Sequence, residues 1–322
     1  MKRRDAAALL AALPLGAWAQ STSSFPGRPV KLINPFPPGS PVDVVARPLA
    51  QKLQDAWGQG VVIDNKAGAG GTLGAELAAQ AAPDGYTLLV TSASTHVIAP
   101  VMRKSLPYDA LKDFAPVALV AHGPTVIVVH PSVPARTLAE FVQYARANPG
   151  RLAYASSGPG TILHLSGELF AARSGTQLLH VPYKGAVPAS TDLLAGQVQV
   201  MFDSIANATP QIKAGKLRAL AVLMPSRTPL LPDVPTAVEQ GFEGLEFPAW
   251  IGLFAPARTP APVLAQITST VREVTAQADL RDRYLQAGLL PSDVMGADFA
   301  RVIASNQKTV ADLVRTAKIE LQ

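Results

Sequence analysis

From Val30 onward, short runs rich in β-branched residues alternate with longer stretches whose apolar positions recur every three or four residues. The runs predict strands at Val30 to Asn34, Val61 to Asp64, Thr87 to Ser92, Val117 to Val120, Val126 to His130, Leu152 to Ser156, Leu178 to Val181, Val198 to Asp203 and Arg218 to Val222. Between them, Val45, Leu49 and Leu53, then Leu138, Phe141, Val142 and Ala145, have the spacing of a buried helical stripe, which Leu264, Ile267, Val271 and Val274 repeat. Alternation of this kind predicts parallel sheets with helices on their faces. After residue 223 the pattern changes to a Pro-rich loop (Pro225, Pro229, Pro232, Pro235), an apolar strand near Trp250 to Phe254, and helices to the end. The expected organisation is a first lobe begun by 20–122, a second lobe over 123–223, and a return of 224–322 to the first, which places a cleft between two lobes.

Residues 1–19 stand apart from this pattern. Lys2, Arg3 and Arg4 precede an apolar stretch from Ala6 to Leu15 and the small-x-small site Ala17-Trp18-Ala19, a unit that predicts an export signal cleaved before Gln20. Either the general route or a twin-arginine route accommodates Arg3-Arg4. Of 322 residues, 48% are hydrophobic and 16% charged, enough apolar material for one large or two medium cores. The formal charge of +5 falls by two, to +3, when three basic residues and Asp5 leave with the signal. That residual charge, with no basic run carrying aromatics, argues against nucleic acid as a partner. The chain contains no cysteine, which excludes disulfide scaffolds and thiol chemistry.

Candidate chemistry gathers at strand ends, where open α/β sheets bind ligands. The first strand runs into Asn34-Pro35-Phe36-Pro37-Pro38-Gly39-Ser40-Pro41-Val42-Asp43; Ser40 can cap a helix, Pro41 fits its first position, and Asp43 is placed to complete a capping box. A helix N-terminus there offers free N–H groups to an anion, or is simply a helix start. Ser92-Ala93-Ser94-Thr95-His96 and Ser156-Ser157-Gly158-Pro159-Gly160-Thr161 end two further strands, the second before a helical run from Ile162 to Ala172. Their glycines permit close backbone approach and their hydroxyls can donate. Val181-Pro182-Tyr183-Lys184-Gly185-Ala186 repeats the strand-to-helix step, and Asp203 closes an apolar strand, where it either receives a ligand donor or caps the turn through Ser204 and Ile205.

These stretches resemble the Bug receptors, the extracytoplasmic solute-binding proteins of tripartite tricarboxylate transporters, over essentially the whole chain after the signal. The marks are Pro35-Phe36-Pro37-Pro38-Gly39 with Asp43 and Ala46-Arg47; Ala82-Pro83-Asp84-Gly85-Tyr86-Thr87; Ser157-Gly158 through Thr161 with His164-Leu165; Val181 to Gly185; Asp192 to Val198; Met201-Phe202-Asp203; Pro232 to Thr236 with Glu239 and Gly241; and Trp250 with Gly252-Leu253 and Ala255-Pro256. The resemblance implies a two-lobed type II periplasmic-binding fold, α/β in class, a monomer that closes on a small carboxylate in the periplasm and delivers it to membrane permease subunits without a cofactor. It implies that one carboxylate is held by Phe36, Pro38, Gly39 and Ser40 and by Ser156, Ser157, Gly158, Gly160 and Thr161, often through waters. Asp43, Ser92, Ala93, Ser94, His164, Tyr183, Gly185, Ala186 and Asp203 complete the expected ligand set. Ser40 stands where the family usually has a second glycine, which bears on ligand size.

The residue types of Ser156, His164 and Asp203 also suit an exported serine hydrolase of small carboxylic esters, but the G-x-S-x-G elbow is missing. His96, His122, His130, His164 and His180 lack metal-ligand spacing, so no metal is expected and a structural or surface role is expected of each. Phe36, Tyr183, Phe202 and Trp250 are candidates to wall an aromatic ligand, with Phe202 and Trp250 read first as core. The Thr161 hydroxyl is expected to donate to the anion, and Lys184 is the one strong cation in these loops.

Overall fold

The computed structural model describes residues 25–183, 185–247, 249–316, 319 and 321; the expected signal segment 1–19, the mature start at Gln20 and Lys184 lie outside the described residues. The chain begins with β1 (Val30–Asn34), α1 (Pro41–Trp57), β2 (Val61–Asn65), α2 (Thr72–Ala79), β3 (Thr87–Ser92), α3 (Ala99–Met102) and β4 (Phe114–His122). It continues through β5 (Thr125–Val129), α4 (Leu138–Ala147), β6 (Leu152–Ser156), α5 (Ile162–Ser174), β7 (Leu178–Pro182), α6 (Ala186–Leu194), β8 (Val200–Ser204), α7 (Ile205–Lys213) and β9 (Arg218–Val222). It closes with β10 (Trp250–Pro256), α8 (Ala261–Thr275), α9 (Ala278–Gln286), β11 (Leu290–Pro291) and α10 (Gly296–Thr316).

The strands form two sheets, ordered β11-β4-β10-β3-β1-β2 and β7-β6-β8-β5-β9. The predicted stripes are the packed faces. Val45, Leu49 and Leu53 of α1 and Ile267, Val271 and Val274 of α8 bury against Val30, Leu32, Leu88 and Val90 on one side of the first sheet. On its other side Phe254 and Phe299 lead into a core that continues through Tyr154, Phe170 and Phe202 under the second sheet. Each such side chain removed from water contributes about 1.5–3 kcal/mol. Helix ends follow local chemistry: Thr137 and Glu140 form a capping box on α4, and Gly58 ends α1 at φ 63°.

The sheets are mixed rather than parallel. β10 runs antiparallel to β3 and β4, and β5 antiparallel to β8 and β9. Both are strands by which the chain enters one sheet from the other, so neither is bound to the parallel return of a βαβ unit. β4 begins at Phe114 and β10 runs to Pro256, both longer than expected, β8 starts at Val200 instead of Val198, and the two-residue β11 was not anticipated. Ser94 to Ile98 form a π-helical turn after β3.

Register fixes where the loops go. Ser92 at the end of β3 lies opposite Ile251, and Ser204 at the end of β8 opposite Thr125. The crossing segments therefore leave each sheet at the edge where β1, β3, β6, β7 and β8 end. They touch there: the Gly123 N–H donates to Ala249 O at 2.6 Å and the Ile205 N–H to Pro124 O at 2.9 Å. The strand-end loops of both sheets thus lie at the end of each sheet that carries the crossings.

Candidate functional site

The first loop is held from inside. Asn34, fully buried, accepts the Phe36 N–H at 3.1 Å, and its amide donates to Asp43 Oδ1 at 3.3 Å. Asp43 Oδ2 accepts the Gly39 N–H at 2.9 Å and Arg47 Nε at 2.7 Å. Asn65 at the end of β2 donates to Phe36 O at 2.9 Å and to Asp43 Oδ1 at 3.4 Å. Desolvation pushes the Asp43 carboxyl up, but Arg47, Gly39 and Asn65 outweigh it and hold it below its ordinary value. Ser40 does cap α1, accepting the Asp43 N–H at 3.2 Å, whereas Asp43 reaches back to Gly39 rather than to Ser40, so the expected capping box is half formed. Asp43 is therefore directed into the loop and not outward, with 3% of its surface exposed.

A third segment from this sheet, absent from the expected set, covers the loop. Lys66 to Thr72 is glycine-rich: the Lys66 N–H donates to Asn34 O at 2.8 Å, Arg103 Nη2 to Ala69 O at 2.7 Å, and a Cβ on Gly71 would lie 2.8 Å from Thr95 and 2.9 Å from Phe36. The run Gly68-Ala69-Gly70-Gly71 at a strand end was its available signal. Beside it, Ser92 and Ser94 are partly exposed while Ala93 is buried, and Thr95 donates to Ser92 O at 3.1 Å.

In the second sheet, Ser156 is fully buried and organises its own loop: its Oγ accepts the Gly158 N–H at 3.2 Å and lies 2.7 Å from His180 Nε2. The Thr161 hydroxyl donates to Gly158 O at 2.7 Å and accepts the His164 N–H at 3.4 Å as the N-cap of α5. The expectation that this hydroxyl donates to an anion is corrected here, because its one hydrogen is committed to the loop. His164, 8% exposed, likewise turns inward, with Nδ1 accepting the Gly160 N–H at 3.1 Å. Ser157, Gly158 and Gly160 remain partly exposed, and the first-turn amides of Ile162 and Leu163 have no acceptor within α5.

Tyr183 donates from its hydroxyl to Asp192 at 2.7 Å; desolvation, then that carboxylate, pushes the phenol up to about 12. Gly185 at φ 118° precedes α6 and the partly exposed Ala186. Asp203 is 1% exposed; Oδ1 accepts the Ser204 N–H at 2.7 Å and Oδ2 accepts Asn207 Nδ2 at 2.6 Å. Burial raises it to about 6 against those two donors. It braces the β8–α7 turn through Ser204 but not Ile205, whose N–H goes to Pro124. Phe202 and Trp250 are core, and Phe36 is half-buried under Gly71.

The three residue types of a hydrolase triad are not brought together: Ser156 meets His180, His164 meets Gly160, and Asp203 meets Asn207. Among the described residues no three His, Asp or Glu side chains are placed to hold a metal, and no helix is long and apolar enough to cross a membrane. A depression of about 180 Å³ at the opposite edge of the first sheet, lined in part by Pro83, Lys112, Asp113 and Arg258, lies away from all these loops.

Residues 45–319 match the tripartite tricarboxylate transporter family receptor. The chain is 41% identical over 272 residues to a UPF0065 protein in the tcbD-tcbE intergenic region of Pseudomonas sp. strain P51, covering 84% of this chain and 81% of that one. It is 35% identical to Protein BugT of Bordetella pertussis, covering 94% and 93%. Among solved structures, R. palustris Rpa4515 with adipate superposes with a TM-score of 0.79 at 32% identity over 92% of this chain and 99% of that one. MatC from Rhodopseudomonas palustris with bound malate gives 0.74 at 36% identity over 90% and 100%.

Proposed function

This chain belongs to the tripartite tricarboxylate transporter receptor family, and from that premise we propose that it captures a small carboxylate between its lobes and hands it to the permease subunits of such a transporter. It is a solute-binding receptor of two-lobed periplasmic-binding fold, not an enzyme. The observation that carries the ligand reading is that α1 and α5, each following a strand end of a different sheet, both begin at the crossing edge. First-turn amides of α1 and α5 aim partial positive charge at that edge, which favours an anion.

In this reading the carboxylate lies between Phe36–Ser40 and Ser156–Thr161, received by the first-turn amides of Val42, Ile162 and Leu163 and by bridging waters, with the Ser40 hydroxyl adding a donor and narrowing the first loop. Ser92, Ser94, Gly185 and Ala186 flank the rest of the ligand. Asp43, His164, Tyr183 and Asp203 shape the loops from behind. Residues 20–122 with 224–322 make one lobe and 123–223 the other; the chain acts as a periplasmic monomer after removal of 1–19. The adipate and malate held by the two relatives favour an aliphatic dicarboxylate.

A thermal-shift screen of the full chain against adipate, malate and aromatic and amino acids tests it. A ligand at one hundred times its Kd adds about 2.7 kcal/mol of stability. Absence of a shift with every carboxylate, at concentrations that shift MatC with malate, would overturn the reading.

A further inference from the structure

Two imidazoles stand directly behind the Ser156–Thr161 loop. The rings of His164 and His180 stack at 4.1 Å, and His180 stacks in turn on Tyr154 at 4.8 Å. Gly160 can only donate its N–H, so His164 Nδ1 is bare and its hydrogen is on Nε2, 3.8 Å from Glu168 Oε1. Ser156 Oγ accepts the Gly158 N–H and lies 2.7 Å from His180 Nε2 and 3.3 Å from Gly158 O. A bare imidazole nitrogen thus holds the helix end of the loop.

We propose that His164 is a positioning residue that keeps this loop in its carboxylate-receiving shape only while its ring is neutral, so that the receptor grips its ligand near neutral pH and loosens it in acid. This rests on the reading of the loop as a carboxylate subsite. A proton on His164 Nδ1 sets N–H against the Gly160 N–H and abolishes that bond. Glu168 faces the pair from α5, and Tyr154 from β6 donates to Glu168 Oε1 at 2.5 Å. Phe202 of β8 packs edge-on against Tyr154 beneath the pair. Burial lowers both imidazoles; His180, further lowered by His164 against the pull of Glu168, lies at about 4.

Calorimetric titration of the full chain with adipate and malate at about pH 7.5 and about pH 5 tests this, using wild type, His164→Asn and His164→Leu. Asn places Oδ1 where Nδ1 sits, accepts the Gly160 N–H and does not titrate. Near neutrality His164→Asn binds within about threefold of wild type, and His164→Leu about tenfold more weakly. On acidification wild type loses about tenfold more affinity than His164→Asn, the two sharing whatever the probe's own protonation contributes. Equal pH slopes, or tighter binding by wild type in acid through attraction of the anion to a charged ring, overturn the proposal. If neither probe binds at all, the carboxylate reading fails instead. The Gly160 amide proton, followed by NMR without ligand, then still decides the positioning role: it moves with pH in wild type, holds still in His164→Asn and shifts upfield in His164→Leu. An amide indifferent to both substitutions refutes it.

Discussion

Asp43 turns both carboxylate oxygens to groups that hold the loop leading into its own helix, and its removal leaves the Gly39 N–H and the Asn34 amide without an acceptor. Asp43→Ala should therefore cost about 2–3 kcal/mol of stability, read as a lowered urea midpoint at unchanged slope, and weaken any ligand of the first loop. An effect below half a kilocalorie would mean that Arg47 and water replace the carboxylate fully. Since the folded carboxyl lies below its ordinary 3.8, its contribution is complete above that value and is lost as pH falls through the lowered folded one. Thr161 invites the complementary experiment. With its hydrogen on Gly158 O, Thr161→Val should lose the cap and the loop tie, about 1 kcal/mol or a few degrees in Tm, while Thr161→Ser keeps both. Serine melting as low as valine would place the effect in the methyl group instead.

At the level of elements, α2 decides how firmly the first loop is covered. A Cβ on Gly74 would lie 2.7 Å from Pro35 Cβ, 2.8 Å from Pro35 Cα and 3.0 Å from Lys66 O. Alanine ordinarily improves a helix interior by about 1 kcal/mol over glycine; here Gly74→Ala should destabilise by about 1–3 kcal/mol and displace Pro35, lowering carboxylate affinity as well as Tm. A variant more stable than wild type would show that α2 is free to retreat. Most elements were legible in the sequence, because Val45-Leu49-Leu53 and the β-branched runs record burial on one or two faces. The directions of β5 and β10 were not, since an apolar run reads the same whichever way its strand points. The turns leading into α1 and α5 were legible from their punctuation, Pro38-Gly39-Ser40 and Gly158-Pro159-Gly160. Which side chains face inward was not, because the deciding partners are remote: Asn65 reaches Phe36 from 29 positions away and His180 reaches Ser156 from 24. The glycine-rich cover at Gly68–Gly71 carried a usable signal that the reading passed over.

Across the whole molecule, burial lowers four imidazoles: His96 to about 3, His180 to about 4, and His122 and His164 in the same direction. The unfolded chain takes up these protons near 6.5 while the folded chain refuses them, so their stabilisation is complete above that value and drains away as pH falls toward the folded values. Asp203 opposes this: raised to about 6, it binds a proton in the fold before the unfolded 3.8 is reached. With four groups against one, urea midpoints should fall between about pH 7 and about pH 4.5, and a midpoint that rises on acidification would contradict the assignment of these rings as neutral. The placing of β10 bears on time as well as on energy. It lies between β3 and β4 in the centre of the first sheet, yet it follows the entire second sheet in the chain. A growing chain cannot join β3 to β4 until Trp250–Pro256 has been made, so the first sheet keeps an open, unpaired seam until the second has been synthesised whole.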